Sequence, residues 1–170
     1  MLSKPIQVVD YDSRWPEVFE GLRGRVARAL DGLHFCMEHV GSTAIPGCAA
    51  KPIVDLVAVV GCRDRDEAIS RLAAAGYVHK GDGGIPGREA FVQPEDLPRH
   101  HLYLCLAGNR ELDRQLLFRD YLRGHPGQVL NYSRLKIGLA ERFRDDREAY
   151  TRAKTPFIEG ILSLAGAWTR

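Results

Sequence analysis

No stretch of this sequence is long and apolar enough to cross a bilayer. The longest apolar run, Ile53 to Val60, is short and is interrupted by Asp55. The opening residues, Met1-Leu2-Ser3-Lys4-Pro5, lack the apolar centre of a secretion signal, so a cytoplasmic location and no membrane partner are expected. A large excess of one charge is missing too. The formal net charge of +2 is far below the concentrated positive field of most nucleic-acid-binding domains, so an anionic partner has to be recognised locally. Four cysteines, Cys36, Cys48, Cys62 and Cys105, form no Cys-x-x-Cys pair. That argues against a zinc knuckle or a thioredoxin-like motif and for reduced thiols.

What remains is the balance of an ordinary folded domain: 170 residues, 45% apolar and 27% charged. A chain of this size suits one domain spanning residues 1–170. Ile6 to Val9 reads as an edge strand or extended arm. Ser13 and Pro16 open a helix that carries Trp15, Phe19, Leu22, Val26 and Leu30 at helical spacing through Leu33. Phe35 to Val40 reads as a strand running into Gly41-Ser42. The β-branched run Ile53 to Val60 reads as a central strand covered on both faces.

A helix over Arg65 to Ala75 stops at Gly76, and Tyr77-Val78-His79 follows as a short strand. The turn Gly81 to Gly87 is a candidate lid ahead of a strand over Glu89 to Val92, and His101 to Leu106 forms a further strand. From Glu111 the period becomes helical. One helix carries Leu112, Leu116, Leu117, Tyr121 and Leu122, and two more are predicted over Gly127–Phe143 and Arg147–Leu164. The sum is an α+β fold: a mixed sheet of four or five strands with an N-terminal helix and a helical C-terminal third.

Two features carry chemistry. In Val40-Gly41-Ser42-Thr43 the glycine permits close backbone approach to an anion, and the following amides with the Ser42 hydroxyl are donors for phosphate oxygens. Thirteen positions beyond Ser42, Asp55 sits inside the strongest strand, where an unpaired acid costs several kcal/mol. Either Asp55 holds a metal, or it accepts hydrogen bonds from the backbone or Lys51 and braces the loop. Glu38 is the candidate second carboxylate, with an ion pair to Arg14, Lys51 or a later helix as its alternative. His100 and His101 are neighbours on a strand and point to opposite faces, so only one addresses a given site.

The string Glu38-His39-Val40-Gly41-Ser42-Thr43-Ala44-Ile45-Pro46-Gly47-Cys48-Ala49-Ala50-Lys51-Pro52-Ile53-Val54-Asp55 resembles the signature of the GrpB family. So do the opening Val9-Asp10-Tyr11-Asp12-Ser13-Arg14-Trp15-Pro16, the block His100-His101-Leu102, the block Phe118 to Arg123, and Asp145 to Tyr150 with Lys154. The resemblance implies a nucleotidyltransferase-superfamily fold and a phosphate-binding site, in members that occur alone or fused to dephospho-CoA kinase. On the family block, His101 is the pocket histidine. The family's further histidine two positions on is Tyr103 here, a residue suited to stacking or hydrogen bonding.

On this basis Gly41, Ser42, Thr43, Lys51, Arg88, Arg119 and Lys154 are expected at phosphate. Arg123 and Lys136 are further counter-charges. Asp55 and Glu38 are expected as the catalytic, Mg²⁺-binding pair, with His101 and Tyr103 elsewhere in the pocket. The chain departs from the superfamily's Asp-x-Asp or Asp-x-Glu, because its tripeptide is Asp55-Leu56-Val57. Two readings stand: a nucleotidyl- or phosphoryl-transferring enzyme acting on a nucleotide or other phosphorylated small molecule, or a non-catalytic module that binds a nucleotide or CoA-like metabolite.

Overall fold

Asp12 prepares the first helix. Its carboxylate accepts from the Arg14 amide at 2.9 Å and pairs with the Arg14 guanidinium, while its carbonyl accepts from the Trp15 amide. With Pro16 in the first turn, helix α1 (Trp15–Ala29) follows and buries Trp15, Phe19, Leu22 and Val26, a spacing of three to four residues. It ends before the predicted Leu33 because Leu30 already leaves the helix and the chain turns at Gly32, whose φ of +83° favours glycine. The computed structural model describes residues 5–166.

Five strands follow, with one helix among them: β1 (Phe35–Val40), β2 (Val54–Val60), α2 (Arg65–Ala74), β3 (Val78–His79), β4 (Arg88–Val92) and β5 (His100–Leu106). They form one sheet in the order β1-β2-β5-β4-β3. Only β2 and β5 run parallel. The sheet is thus mixed, and β2 lies inside it, as its β-branched run predicts. Residues 6–9 form an extended arm and not a strand of the sheet: Val9 makes an isolated bridge to Ala50, the Ile6 amide donates to the Arg144 carbonyl at 2.8 Å, and Ile6 buries beside Ala140 and Tyr150.

One face of the sheet, carrying Leu56, Ala58, Leu102 and Leu104, buries against Phe19, Val26, Ala68 and Leu72 of α1 and α2. On the other, Val40, Val57 and Cys105 pack beneath Leu112. That residue belongs to α3 (Arg110–Arg123), started by Asn109, whose side chain accepts from the Leu112 amide at 3.1 Å. Helix α4 (Pro126–Arg142) comes next. The last predicted helix is two, α5 (Arg147–Ala153) and α6 (Thr155–Leu164). Pro156 supplies no amide and its ring crowds the carbonyl four residues back, so the helix breaks at Lys154. Among the described residues no helix is long and apolar enough to cross a membrane.

The short edge strand β3 is held by charge. Glu89 of β4 is buried, accepts from Arg65 of α2, and meets His79 Nε2 at 2.6 Å. Burial alone would raise the Glu89 carboxyl, but the His79 and Arg65 hydrogen bonds and charges outweigh it and hold it below the ordinary value. A carboxyl lowered on folding stabilises above its unfolded pKa and loses that contribution as pH falls through the folded one. Glu89→Gln is therefore expected to cost about 2 kcal/mol at pH 7. Denaturant melts should show the gap from the unsubstituted protein closing as the pH drops into the acid range.

Candidate functional site

Strand β1 leaves the sheet at Gly41 (φ +71°, ψ −175°) and enters a 3-10 turn over Ser42–Ala44. The turn's own bonds use the amides of Ala44 and Ile45, so among the described residues the Ser42 and Thr43 amides are the unpaired first donors. Val40 lies across from Asp55 in the β1–β2 register, which brings the Asp55 carboxylate against Gly41. A Cβ on Gly41 would lie 3.1 Å from Asp55 Cγ and closer still to Oδ2. Glycine is required here both by its dihedral and by this carboxylate. The Thr43 hydroxyl is turned to His39 Nε2 at 3.0 Å, and that imidazole stacks on Phe19. Burial is the main cause pulling His39 down to about 4, so it is neutral at pH 7. Thr43 therefore offers the site its amide, while Ser42 offers its hydroxyl.

The turn forms one wall of a cavity of about 410 Å³. Three lysines line it from separate segments: Lys51 ahead of β2, Lys136 of α4, and Lys154 at the α5–α6 break. Lys136 is 2% exposed. Its Nζ donates to Ser42 Oγ at 2.8 Å, to Cys48 Sγ at 3.2 Å and to the Ala49 carbonyl, and lies 4.3 Å from the centre of the Tyr132 ring. Lys51 and Lys154 lie over the ring of the buried Tyr150, at 5.5 and 4.6 Å. No lysine of this trio reaches a carboxylate within ion-pair distance among the described residues.

Burial lowers the pKa of all three. Lys154 falls to about 8, through burial first and then through the charges of Lys51 and Lys136, with Asp55 opposing. Arg88 approaches the cavity over the Tyr103 ring at 4.8 Å and donates to the Asp82 carbonyl of the glycine-rich turn at 3.2 Å. Arg114 and Glu111 complete the charged lining and pair with each other at 3.8 Å.

Asp55 is directly opposite His101 in the parallel β2–β5 register, and His101 Nδ1 donates to Asp55 Oδ1 at 2.7 Å. His100 points to the other face, buried, with Tyr77 at 3.1 Å on Nε2 and the Pro98 carbonyl at 2.7 Å on Nδ1. Tyr103 and Arg88 join His101 on the cavity wall.

Two expected site residues lie elsewhere. Glu38 is opposite Val57, not Asp55, and its carboxylate accepts from Arg119 at 2.7 Å. Arg119 is 11% exposed, also donates to the His39 carbonyl at 2.9 Å, and does not line the cavity. Arg123, one turn on, donates to the Ala44 carbonyl at 2.9 Å. These two arginines clamp α3 onto the backbone on either side of the Gly-Ser turn.

The same geometry tests the expected Mg²⁺ pair. Asp55 Oδ1 is bonded to His101 and Oδ2 is packed on Gly41, Glu38 is held by Arg119, and Val57 is 1% exposed under α3. Among the described residues no group of three His, Cys, Asp or Glu side chains is placed to hold a metal. This set does not fit a protein-held metal pair.

The cavity also takes in Tyr132, Tyr150, Glu111 and Arg114, none of them expected there, and gives Lys136 a more central place than Lys154. A signal for Lys136 was present. It occupies the apolar stripe Val129, Tyr132, Ser133, Lys136, Ala140, where a lysine is out of place unless it serves a buried site.

A family model described as GrpB protein matches residues 5–164. The UPF0157 protein YqkA of Bacillus subtilis is 33% identical over 168 residues, 98% of this chain and 49% of that protein. The UPF0157 protein PA4798 of Pseudomonas aeruginosa is 40% identical over 172 residues, 97% of this chain and 69% of that protein. A dephospho-CoA kinase of Mycolicibacterium paratuberculosis is 25% identical over 190 residues, 96% of this chain and 47% of that protein. The chain thus spans about half the length of YqkA and of the kinase.

Among solved structures, the conserved protein GrpB from Enterococcus faecalis superposes with a TM-score of 0.83 at 31% identity, covering 94% of this chain and 96% of that one. A mutant of the Cid1 poly(U) polymerase bound to MgATP superposes with a TM-score of 0.50 at 12% identity, covering 75% and 45%. The second likeness is one of fold alone: a nucleotidyltransferase-like sheet with its helices.

Proposed function

The chain belongs to the GrpB family, and from the cavity it carries we propose that it binds a phosphorylated small molecule, a nucleotide or CoA-like metabolite, through its lysines and without a protein-held metal pair. One observation carries this reading: Lys51, Lys136 and Lys154 line the cavity walled by the Ser42 turn, desolvated and, among the described residues, without an ion-paired carboxylate. Each desolvated ammonium costs several kcal/mol, and like charges add to that cost. A phosphate offers three or more acceptor oxygens and the opposite charge, and so relieves both. The Ser42 and Thr43 amides at the turn add neutral donors on the same wall. The name of the kinase relative makes dephospho-CoA a reasonable member of the ligand panel. A nucleotidyl-transfer reading needs a second carboxylate, and Val57 and the Glu38–Arg119 pair speak against it.

Titration calorimetry with ATP, dephospho-CoA and inorganic pyrophosphate tests the reading. At least one should bind equally well in EDTA and in Mg²⁺. Lys154→Met should weaken it roughly 10- to 100-fold, the loss of one charge-assisted contact. Because the Lys154 ammonium titrates near 8, affinity should also fall as pH rises through that value. Unchanged affinity in Lys154→Met would place the anion site elsewhere.

A further inference from the structure

The two adjacent histidines differ in a way that defines a second role for the cavity. His100 is buried with both ring nitrogens engaged, by Tyr77 and by Pro98. The His101 side chain is 46% exposed on the cavity wall, and only its Nδ1 is engaged, by Asp55. The carboxylate can only accept, so Nδ1 carries the proton and Nε2 presents its lone pair. No described group bonds to Nε2.

Both partners sit in register on adjacent inner strands, the most restrained part of the sheet. Asp55 is held further by its packing on Gly41. A carboxylate fixed on one imidazole nitrogen, with the other nitrogen open to a ligand cavity, is the arrangement of a general base and its orienting acid.

We propose that His101, positioned by Asp55, acts as a metal-independent general base that hydrolyses a phosphoric anhydride or ester held by the cavity lysines. The proposal rests on the reading that the cavity binds a phosphorylated ligand. His101 Nε2 takes a proton from water as the water oxygen bonds to phosphorus. The bond from phosphorus to the leaving oxygen breaks, and that oxygen keeps the electron pair and takes a proton from the Lys154 ammonium. The imidazolium then returns its proton to the Lys154 amine through solvent. Water is the only co-reactant consumed. An ammonium lowered toward neutrality, as Lys154 is, gives up its proton more readily than an ordinary lysine. Asp55 touches no reacting atom and is a positioning residue.

The test measures hydrolysis of bis(p-nitrophenyl) phosphate, ATP and inorganic pyrophosphate by the full chain in EDTA, alongside calorimetric binding of each probe. Turnover of at least one bound probe in EDTA is expected. His101→Asn should lower kcat about 10²- to 10⁴-fold with KM and melting temperature nearly unchanged. Asp55→Asn should lower kcat with KM unchanged, as a positioning role requires. His101→Asn is the more secure variant, because His101 is exposed while Asp55 supports the Gly41 turn. Binding without turnover in EDTA, turnover only with Mg²⁺, or full activity in His101→Asn would each overturn the proposal while leaving the binding reading intact. Failure of every probe and of dephospho-CoA to bind would overturn the binding reading and this proposal with it.

Discussion

Lys136→Met is expected to weaken the binding of ATP or pyrophosphate in EDTA by about 100-fold or more while leaving the melting temperature unchanged or raising it. The two halves of this result have separate causes. Lys136 is buried in α4 and donates to Ser42 Oγ, Cys48 Sγ and the Ala49 carbonyl, with no carboxylate in reach. Replacing a buried ion by an apolar side chain of similar volume is often neutral or stabilising by about 1–4 kcal/mol. Here the gain is reduced by the acceptor left behind at Ala49, which costs about 1–3 kcal/mol. The ligand, by contrast, loses the most deeply desolvated of its counter-charges. A lysine kept for structure would give the opposite pattern: a lower melting temperature with binding intact in the fraction that remains folded.

The second large effect is at Gly41. Gly41→Ala forces a side chain onto a φ of +71° with ψ near 180°, a region other residues occupy at a cost of about 1–3 kcal/mol. Its Cβ also collides with the Asp55 carboxylate. We expect about 3 kcal/mol of destabilisation, a drop of about 6–12 °C in melting temperature for a domain of this size. The clash moves either the turn or Asp55, so anion affinity and the Asp55–His101 bond should suffer together. The double variant Gly41→Ala with Asp55→Ala removes the collision but not the dihedral strain. It should therefore recover part of the stability and none of the function. Recovery of the full melting temperature would mean that the dihedral carries no strain.

Local pattern accounts for what was legible. The apolar runs of β1 and β2, the Gly-Ser turn between them, and the alternation that sends His100 and His101 to opposite faces are properties of a few consecutive residues. What escaped depends on distant segments meeting. Lys136 bonds to Ser42 across 94 positions. Asp55 meets His101 only because β2 and β5 pair in parallel, with α2, β3 and β4 intervening in the chain.

Glu38 and Arg119 were selected by residue type, and each has the right chemistry. The docking of α3 on β1 joins them to each other instead. The break at Lys154 was missed because the apolar spacing of residues 147–164 continues through it. Pro156 was the local signal that outweighed that spacing. This break sets Lys154 beside Tyr150 at the cavity wall.

The most direct test is a crystal structure of the protein soaked with tungstate or pyrophosphate in EDTA. The account predicts an oxyanion in the cavity within hydrogen-bond distance of Lys136 or Lys154 and of the Ser42–Thr43 amides. An anion found only outside this cavity, or a cavity that remains free of anion while the soak fills other sites, would contradict it.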